Sequence, residues 1–407
     1  MPGFITQLKG SLMLNGRIST GLTAIALAAG LVGVAQAQGR TQSGTYNGLE
    51  WVAQSMLTGA GTLGTGVTGN IAGNALFHPT YPADTGVVGL LFTFANGDRF
   101  VCSGTLMNDR QSILTAGHCV TDAALATPVS TTVFFQPAAG TAPDARIYGI
   151  PSGSNIPPGV VQLSASQYFV HPSYTGDVID QNDIAVIRMS SLAPAYATSH
   201  GIFTSNIGRG QQFEVAGYGL LGTGVGGTGA AVETGNSTTG RLRTGDNIYD
   251  YRLGDSIFGT NWATVLAEPF AQIEYSYISD FDNGNSANDA AWRLATNAAL
   301  AGAAGSVFAD LGLGAREVGV SGGDSGGPQF IGSLVSGVNS YGLSFGTGFG
   351  DALTGLNSSF GEFSGYVPTF IHADFINAAL VPEPGTYLLM ALGLAGVGVA
   401  ARRRKSV

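Results

Sequence analysis

The sequence predicts an all-β fold, and three observations lead to this prediction. Short apolar segments recur throughout the 407 residues, and clusters of turn-forming residues separate them. The chain contains 63 glycines and only 11% charged residues, a composition typical of a turn-rich protein with an apolar core. No regular alternation of strands with helices is present, which disfavours a parallel α/β sheet and favours an antiparallel barrel or sandwich.

The first predicted strands lie between residues 87 and 135. Residues 87–94 form an apolar segment, Asn96-Gly97 is a strong hairpin turn signal, and residues 99–106 predict the return strand. Further strands are predicted at residues 112–115 and 131–135.

The second half of the chain has a less regular pattern. A loop is expected at residues 220–240, and the block 241–315 is interpreted as an insertion with helical character at residues 287–300. A closing helix is expected at residues 369–379, where Ile371, Phe375, Ile376 and Ala379 would share one buried face. The remaining strand predictions are 160–163, 168–170, 184–189, 213–218, 316–320 and 330–341.

The N-terminus has the organisation of a secretory signal peptide. Lys9 and Arg17 precede an apolar stretch at 21–34, and residues 35–37 supply the small-x-small pattern of a signal-peptidase site. A membrane anchor is the alternative, but the apolar stretch is short for one. We therefore expect export, with signal peptidase removing residues 1–37.

The C-terminus combines three features in a fixed order. A Pro-Glu-Pro sequence at 382–384 precedes an apolar run at 387–401, and four basic residues follow at 402–405. As a helix, the run would span about 22 Å, which is marginal for a permanent membrane span. Residues 381–407 resemble the PEP-CTERM sorting signal of Gram-negative bacteria. The resemblance implies transient membrane anchoring, processing by an exosortase, and a final location at the cell envelope or outside the cell.

The charge distribution disfavours nucleic acid as a partner. The chain has 17 basic and 26 acidic residues, for a net charge of −9. Several of the basic residues lie in the two terminal segments, at Lys9, Arg17 and 402–405, so the middle of the chain is more acidic than the whole. Such a surface would repel polyanions.

The two cysteines of the chain, Cys102 and Cys119, both lie in the part expected to be exported. In an oxidising compartment, an even number of cysteines predicts a disulfide. By the chain-entropy account, closing a loop of this length would stabilise the fold by about 3 kcal/mol.

Three segments carry residue types suited to nucleophilic catalysis. His118 lies beside Cys119, where a disulfide would hold it rigidly, as a general base requires. Ser325 is surrounded by glycines, which let backbone N–H groups converge on one point and stabilise an oxyanion. Asp183 opens an apolar strand, where a buried carboxylate needs a partner such as a histidine N–H. Taken singly, each has a commoner explanation as a structural histidine, a glycine-rich turn or a strand-edge turn.

Together, the three segments resemble the motifs of the chymotrypsin/trypsin family of serine proteases. The sequence TAGHC at 115–119 has Gly117 where the family usually has alanine, while DIAV at 183–186 and GDSGGP at 323–328 match closely. The segment CSGTL at 102–106 resembles the strand that follows the first cysteine of the family. The resemblance spans about residues 87–379.

This resemblance implies two antiparallel Greek-key β-barrels with the active site between them, and a short C-terminal helix. Ser325 would be the nucleophile, His118 the general base and then acid, and Asp183 its orienting partner. The N–H groups of Gly323 and Ser325 would form the oxyanion hole. Asp324 would be a structural acid paired with a cation, and Cys102–Cys119 would be the disulfide that closes the histidine loop.

The activation site is less defined. The family often frees a new amino terminus at an Ile-Val-Gly-Gly sequence, which this chain lacks. Residues 71–74 (IAGN) are a weak stand-in, preceded by Asn70 rather than a basic residue. If they serve this role, N-terminal sequencing of the active protein would find Ile71 as its first residue.

By the same resemblance, the floor of the substrate pocket is Gly319, six residues before the serine. Gly319 carries no charge, and the segment Ser340, Tyr341 and Gly342 resembles the pocket wall and substrate strand. We therefore expect a preference for apolar or aromatic residues rather than Arg or Lys. Glu317 would reverse this preference if its carboxylate reached the pocket.

No cofactor is required by these motifs. The loop that begins Asp280-Phe281-Asp282 has clustered oxygen atoms that Ca²⁺ could bind, but its spacing is not that of an EF-hand, and an ordinary polar loop is favoured.

The sequence thus predicts four parts and one principal function. The parts are a signal peptide at 1–37, an N-terminal arm or pro-segment at 38–84, a protease domain at 85–380 with an insertion at about 220–315, and the sorting segment 381–407. The predicted function is a secreted serine endopeptidase acting on proteins or peptides. The alternatives are a pseudo-protease that only binds a partner, and an α/β-hydrolase esterase that would use His372 as its base.

Overall fold

The computed structural model describes residues 40–46, 48–55, 75–138, 147, 156–228, 239–255, 265–266, 271–297, 309–380 and 392–394. The described elements up to residue 380 lie in one compact unit, residues 34–407. The predicted signal peptide, the candidate activation site at Ile71 and nearly all of the sorting segment lie outside the described residues. Among the described residues, we find no helix with the length and hydropathy of a membrane span.

The first half of the domain is a closed antiparallel barrel, formed in the described residues by six strands in the order β3-β4-β5-β8-β7-β6. Its strands are mostly buried because aliphatic and aromatic side chains fill the barrel interior. The predicted strands at 99–106 and 112–115 match their observed bounds, and the predictions at 160–163 and 168–170 merge into one strand. The strands are β3 (Val87–Thr93), β4 (Arg99–Leu106), β5 (Ser112–Thr115), β6 (Ser130–Phe135), β7 (Val161–Val170) and β8 (Ala185–Met189).

The second half is a larger curled sheet, which has nine strands in the described part of the chain. Seven of them follow the order β12-β9-β15-β16-β17-β14-β13, while β2 pairs with both β1 and β16. A separate pair, β10 and β11, forms a short hairpin. The strands are β1 (Thr41–Tyr46), β2 (Leu49–Gln54), β9 (Gln212–Gly217), β10 (Gly222–Thr223), β11 (Gly227–Thr228), β12 (Arg243–Ile248), β13 (Tyr251–Arg252), β14 (Tyr277–Asp280), β15 (Pro328–Ile331), β16 (Leu334–Ser344) and β17 (Phe363–Pro368).

Two short α-helices accompany the sheets in the described residues, α1 (Ala290–Thr296) and α2 (Ala373–Ala379). A 3-10 turn at Phe370–His372 leads into α2, and Ile376 and Ala379 pack against the barrel core. The predicted all-β fold with a short C-terminal helix is therefore confirmed.

The block 241–315 differs from the expectation of a simple insertion, because β12, β13 and β14 are strands of the second sheet. The strand expected at 316–320 is not present. The chain instead forms a 3-10 turn at Gly314–Arg316 and a single bridge between Glu317 and Asp246.

Candidate active site

The disulfide and the barrel hold His118 in place. Directly after β5, the chain enters a 3-10 turn at Gly117–Val120, which includes the histidine. Cys119 is bonded to Cys102 on β4, with 6.3 Å between their Cα atoms, so the predicted disulfide is confirmed. The imidazole is therefore attached through its neighbouring residue to the barrel wall.

His118 and Asp183 are joined by two hydrogen bonds. His118 Nδ1 lies 2.7 Å from Asp183 Oδ2, and the His118 backbone N–H donates to Asp183 Oδ1 at 2.7 Å. Because the carboxylate can only accept, Nδ1 carries the imidazole proton and Nε2 is left as the acceptor. Asp183 lies just before β8, and both side chains are buried.

The environment of Asp183 keeps it ionised. Burial raises the pKa of this carboxyl, but His118 and the hydroxyl of Ser340 lower it, and the net pKa is below its ordinary value. The carboxylate therefore retains its charge at neutral pH and can stabilise an imidazolium at His118.

Ser325 completes the hydrogen-bonded series. Its Oγ lies within hydrogen-bond reach of His118 Nε2, and its side chain is 0% exposed. The backbone N–H of Ser103 donates to the carbonyl of Ser325 at 2.8 Å, and the Ser103 hydroxyl donates to the carbonyl of Gly323 at 2.7 Å. The serine loop is thereby held to β4, the strand that carries Cys102.

Two glycines around the serine are required by the backbone. Gly323 has φ of 113°, and a Cβ there would lie 2.5 Å from the Cα of Gly219. Gly326 has φ of 77°, and a Cβ there would lie 1.9 Å from Thr115 Oγ1. Any larger residue would strain or displace the loop.

Asp324 is buried between these glycines and the second sheet. Its Oδ1 accepts a hydrogen bond from the N–H of Gly219 at 3.2 Å, and a Cβ on Gly217 would collide with the same oxygen. The carboxylate thus contributes to holding the serine loop against β9.

Ser340 contacts Asp183, in addition to its predicted place in the pocket wall. Its Oγ donates to Asp183 Oδ2 at 2.5 Å, across 157 residues of sequence. The sequence assigned this residue to the substrate pocket, and no local signal marks its contact with Asp183. Such a hydrogen bond stabilises the charged carboxylate and fixes its orientation.

The space beside His118 explains Gly117. A Cβ at this position would lie 3.1 Å from both Asp183 Oδ1 and Tyr174 Cδ1. An alanine methyl group would therefore require Tyr174 or Asp183 to shift by a few tenths of an ångström. The departure from the family motif therefore accompanies a tyrosine that the sequence did not single out.

The predicted pocket residues separate into two groups. Gly319 and Gly342 line one small cavity together with Phe281, Val320 and Phe363; Ser358, Ser359, Glu362 and Ser364 also line it. The side chain of Tyr341 is instead buried in the core, where its hydroxyl lies 2.7 Å from Ser276 Oγ.

Two acidic side chains bear on the charge of this cavity. The carboxylate of Glu317 accepts backbone N–H groups from Asp282, at 2.6 Å, and from Leu313. Glu362 accepts backbone N–H groups from Asn357 and Ser358, at 2.8 and 2.9 Å. Burial and the nearby Asp351 raise the pKa of Glu362 to about 8. Glu317 does not line this cavity, and burial favours the uncharged form of Glu362, which does.

Two acids at and after the end of β14 accept local backbone hydrogen bonds. Asp280 accepts the N–H of Ala291 at 2.8 Å, and Asp289 caps α1 by accepting the N–H of Trp292 at 2.8 Å. In the described residues, the three potential metal ligands that lie close together are Cys102, His118 and Cys119. The sulfur atoms of the two cysteines are bonded to each other and offer no thiolate.

We expect the stability of the protein to fall as pH rises from 5 to 8. Burial raises the pKa of Glu317 to about 8, and burial with neighbouring carboxyls raises that of Asp282 to about 11. Both groups hold a proton more tightly in the folded state. Their contribution is complete below about pH 4 and is lost as pH rises toward the folded pKa. Denaturant unfolding at the two pH values measures the difference.

A matched pair of variants assigns this effect. Glu317→Gln should reduce the loss of unfolding free energy between pH 5 and 8, while Glu274→Gln, on the exposed surface, should leave it unchanged. Equal unfolding free energies at both pH values in the unaltered protein would contradict the expectation.

Family models match the segments that hold His118 and Asp183 and the C-terminal sorting segment, while Ser325 lies outside the matched residues. A family model described as Trypsin matches residues 80–247, and a model described as PEP-CTERM protein-sorting motif matches residues 380–405. Among solved structures, the chain is similar to HL collagenase, with 18% identity and a TM-score of 0.45, over 74% of this chain and 96% of that one. No curated protein matches the chain by sequence.

The family matches also bear on activity and location. A trypsin domain supports a serine protease, which is a hydrolase acting on proteins or peptides. A PEP-CTERM motif indicates export and sorting to the cell envelope. Residues 80–247 therefore match the Trypsin family model, and a PEP-CTERM sorting motif follows at residues 380–405.

Proposed function

We propose that the protein is an exported serine endopeptidase that cleaves peptide bonds through an acyl-enzyme formed on Ser325. The observation that carries the proposal is the continuous hydrogen-bonded series from Asp183 through His118 to Ser325. Export and envelope sorting would follow from the signal peptide and the PEP-CTERM motif, with signal peptidase and an exosortase as processing enzymes.

Each residue of the series has one role in the proposed reaction. His118 Nε2 takes the hydroxyl proton of Ser325 as its Oγ attacks the scissile carbonyl. The imidazolium then gives this proton to the leaving amine, and the acyl-enzyme remains. A water molecule repeats the sequence, with His118 again as base, and releases the acid product with Ser325 restored.

The tetrahedral intermediates carry a negative oxygen that needs hydrogen-bond donors. The backbone N–H groups of Gly323 and Ser325 would supply them. The φ of 113° at Gly323 supports this assignment, because the loop needs a conformation that side-chain-bearing residues rarely adopt.

Labelling with a fluorophosphonate probe tests the proposal directly. The probe reacts with activated serine hydroxyls, and we expect the adduct to map to Ser325 by mass spectrometry. Ser325→Ala should abolish labelling, whereas Ser321→Ala, a buried serine of the same loop, should retain it. A chain that neither labels nor turns over a peptide would instead be a binding protein.

We expect cleavage after apolar or aromatic residues. The cavity at Gly319 is lined in part by Phe281, Val320 and Phe363, and burial favours the uncharged form of Glu362, the acid that lines it. A peptide library should therefore be cut mainly after such residues, and cleavage mainly after Arg or Lys would refute the expectation. Gly319→Asp should raise relative cleavage after Arg and Lys at least about tenfold, since one desolvated ion pair contributes on the order of 1.4 kcal/mol. Gly319→Asn, which has the same shape without the charge, is the control.

The esterase alternative has no support in the fold. An α/β-hydrolase needs a parallel sheet, whereas the strands here pair antiparallel in both sheets. His372, its candidate base, bonds the carbonyl of Gln181 at 2.7 Å and packs against His171.

A further inference from the structure

Arg40 joins two loops of the first barrel, one on each side of the proposed base and its carboxylate partner. Its Nη1 donates to the hydroxyl of Tyr174 at 2.9 Å and to the carbonyl of Gly176, both in the loop before β8. Its Nη2 donates at 2.6 Å to the carbonyl of Asp122, which follows the 3-10 turn that contains His118. A planar guanidinium has enough donors in a fixed geometry to hold three such acceptors at once. One side chain thereby connects the two loops.

Tyr174 brings this connection close to the triad. The residue is 6% exposed, and a Cβ on Gly117 would lie 3.1 Å from both Tyr174 Cδ1 and Asp183 Oδ1. The ring is therefore close to the histidine turn and to the carboxylate. A shift of Tyr174 would change the space around both.

The loop before β8 is closed by the carboxylate of Asp180. This carboxylate accepts the N–H and the hydroxyl of Thr175 and the N–H of Asn182, each at 2.8 Å. The backbone carbonyl of Asp180 accepts the N–H of Asp183 at 3.1 Å. Because these bonds connect the start of the loop with its end, a displacement near Thr175 is transmitted to Asp183.

The hairpin of β1 and β2, which directly follows Arg40, holds the same loop in two further ways. Gln42 Oε1 accepts the N–H of Val178 at 3.1 Å. Trp51 is 4% exposed and shares one buried apolar cluster with Val178 and Ile179. The loop that ends at Asp183 is thus attached to the N-terminal residues by a guanidinium, an amide and an apolar cluster.

The hairpin also pairs with the strand that carries the second hydrogen-bond donor to Asp183. Ser340 Oγ donates to Asp183 Oδ2 at 2.5 Å. Two residues further along β16, Gly342 pairs with Gln54 of β2. The hairpin therefore contacts both elements whose side chains meet at this carboxylate.

We propose that Arg40 and the hairpin of β1 and β2 position His118 and Asp183 for catalysis. The inference rests on the proposed protease function and adds Arg40 and Gln42 as positioning residues. The hairpin lies before the match to the Trypsin family model, which begins at residue 80. The sequence left open whether residues 38–84 are an arm or a pro-segment. With this role, the hairpin belongs to the catalytic domain and stays with the mature enzyme.

The kinetic test is Arg40→Ala in the full chain, with hydrolysis of a fluorogenic peptide. Without the bridge, the two loops can move apart, and a small misplacement of the reacting groups should lower kcat about 10- to 100-fold. KM should change less than about threefold, because none of the three acceptors of Arg40 lines the cavity at Gly319.

A spectroscopic readout needs no turnover. The proton between His118 Nδ1 and Asp183 Oδ2, which lie 2.7 Å apart, should give a far-downfield proton NMR resonance in the unaltered protein. In Arg40→Ala, this resonance should move upfield or disappear, because the two side chains are no longer held at this distance.

Arg110→Ala is the matched control. Arg110 also bridges two backbone carbonyls of the first barrel, those of Ala197 at 2.8 Å and Pro194 at 2.6 Å, in a segment after β8 that carries no triad residue. Its replacement removes bonds of the same kind and should leave kcat within about threefold and the resonance unchanged. Equal losses of kcat in the two variants overturn the inference, as does an unchanged kcat or resonance in Arg40→Ala.

Gln42→Ala decides the question if Arg40→Ala does not fold. It removes the acceptor of the Val178 N–H and should lower kcat at least about threefold, with a shift of the same resonance. An unchanged kcat and resonance in this variant also overturn the inference. Absence of fluorophosphonate labelling at Ser325 in the unaltered protein overturns the protease function instead, and the resonance then still tests the positioning.

Discussion

Replacing His118 with alanine should lower kcat by about 10⁵- to 10⁶-fold. His118 Nε2 is the acceptor within reach of Ser325 Oγ, and its Nδ1 is already committed to Asp183. Without the imidazole, the serine hydroxyl keeps its proton at neutral pH, and the leaving amine has no acid. Steady-state hydrolysis of a fluorogenic peptide measures the loss.

The control for this variant is His171→Ala. His171 packs against His372 and Phe375, and its Nδ1 accepts the N–H of Ser173 rather than a bond from His118, Asp183 or Ser325. Its replacement should leave kcat within about threefold, a change of less than about 1 kcal/mol in the barrier. If His118→Ala retained activity within tenfold of the unaltered protein, another group would have to act as the base.

The candidate site could be predicted only where its signals are local. His118, Asp183 and Ser325 each lie in a short segment whose neighbours carry the pattern, and the structure brings these three side chains together. Ser340 reaches Asp183 from 157 residues away, and Ser103 reaches Gly323 from 220 residues away. No spacing in the sequence indicates contacts of this range, because the fold alone creates them.

The strands also divide into those that local sequence predicts and those that depend on the assembled fold. The apolar segments of the first barrel can be predicted because their own residues indicate burial. Strand β12 contains Gly, Asp and Asn, yet all six of its residues pair with β9. Its strand conformation comes from the neighbouring strand rather than from propensity. The hairpin of β1 and β2 lies in an arm rich in Gly and Thr, and its position on β16 is equally a property of the assembled sheet.

Asp183→Asn should lower kcat by about 10⁴-fold with little change in KM. An asparagine fits the same space, but its NH₂ group can face His118, which turns the imidazole to the tautomer with Nδ1 as acceptor and Nε2 protonated. This tautomer cannot take the proton of Ser325. The amide also lacks the charge that stabilises the imidazolium, a charge that His118 and Ser340 maintain by holding the pKa of Asp183 low.

Two further variants show whether this loss arises from the charge at Asp183. Asp177→Asn changes a carboxylate on the same loop that bonds only Thr175 in the described structure, and should leave kcat unchanged. Ser340→Ala removes one hydrogen bond to the carboxylate and should cost about tenfold, the equivalent of about 1.4 kcal/mol. A series in which kcat falls from Asp177→Asn to Ser340→Ala to Asp183→Asn means that the charge and orientation of this carboxylate serve catalysis. Equal effects of all three would mean that the loop responds to any substitution, and that Asp183 has only a structural role.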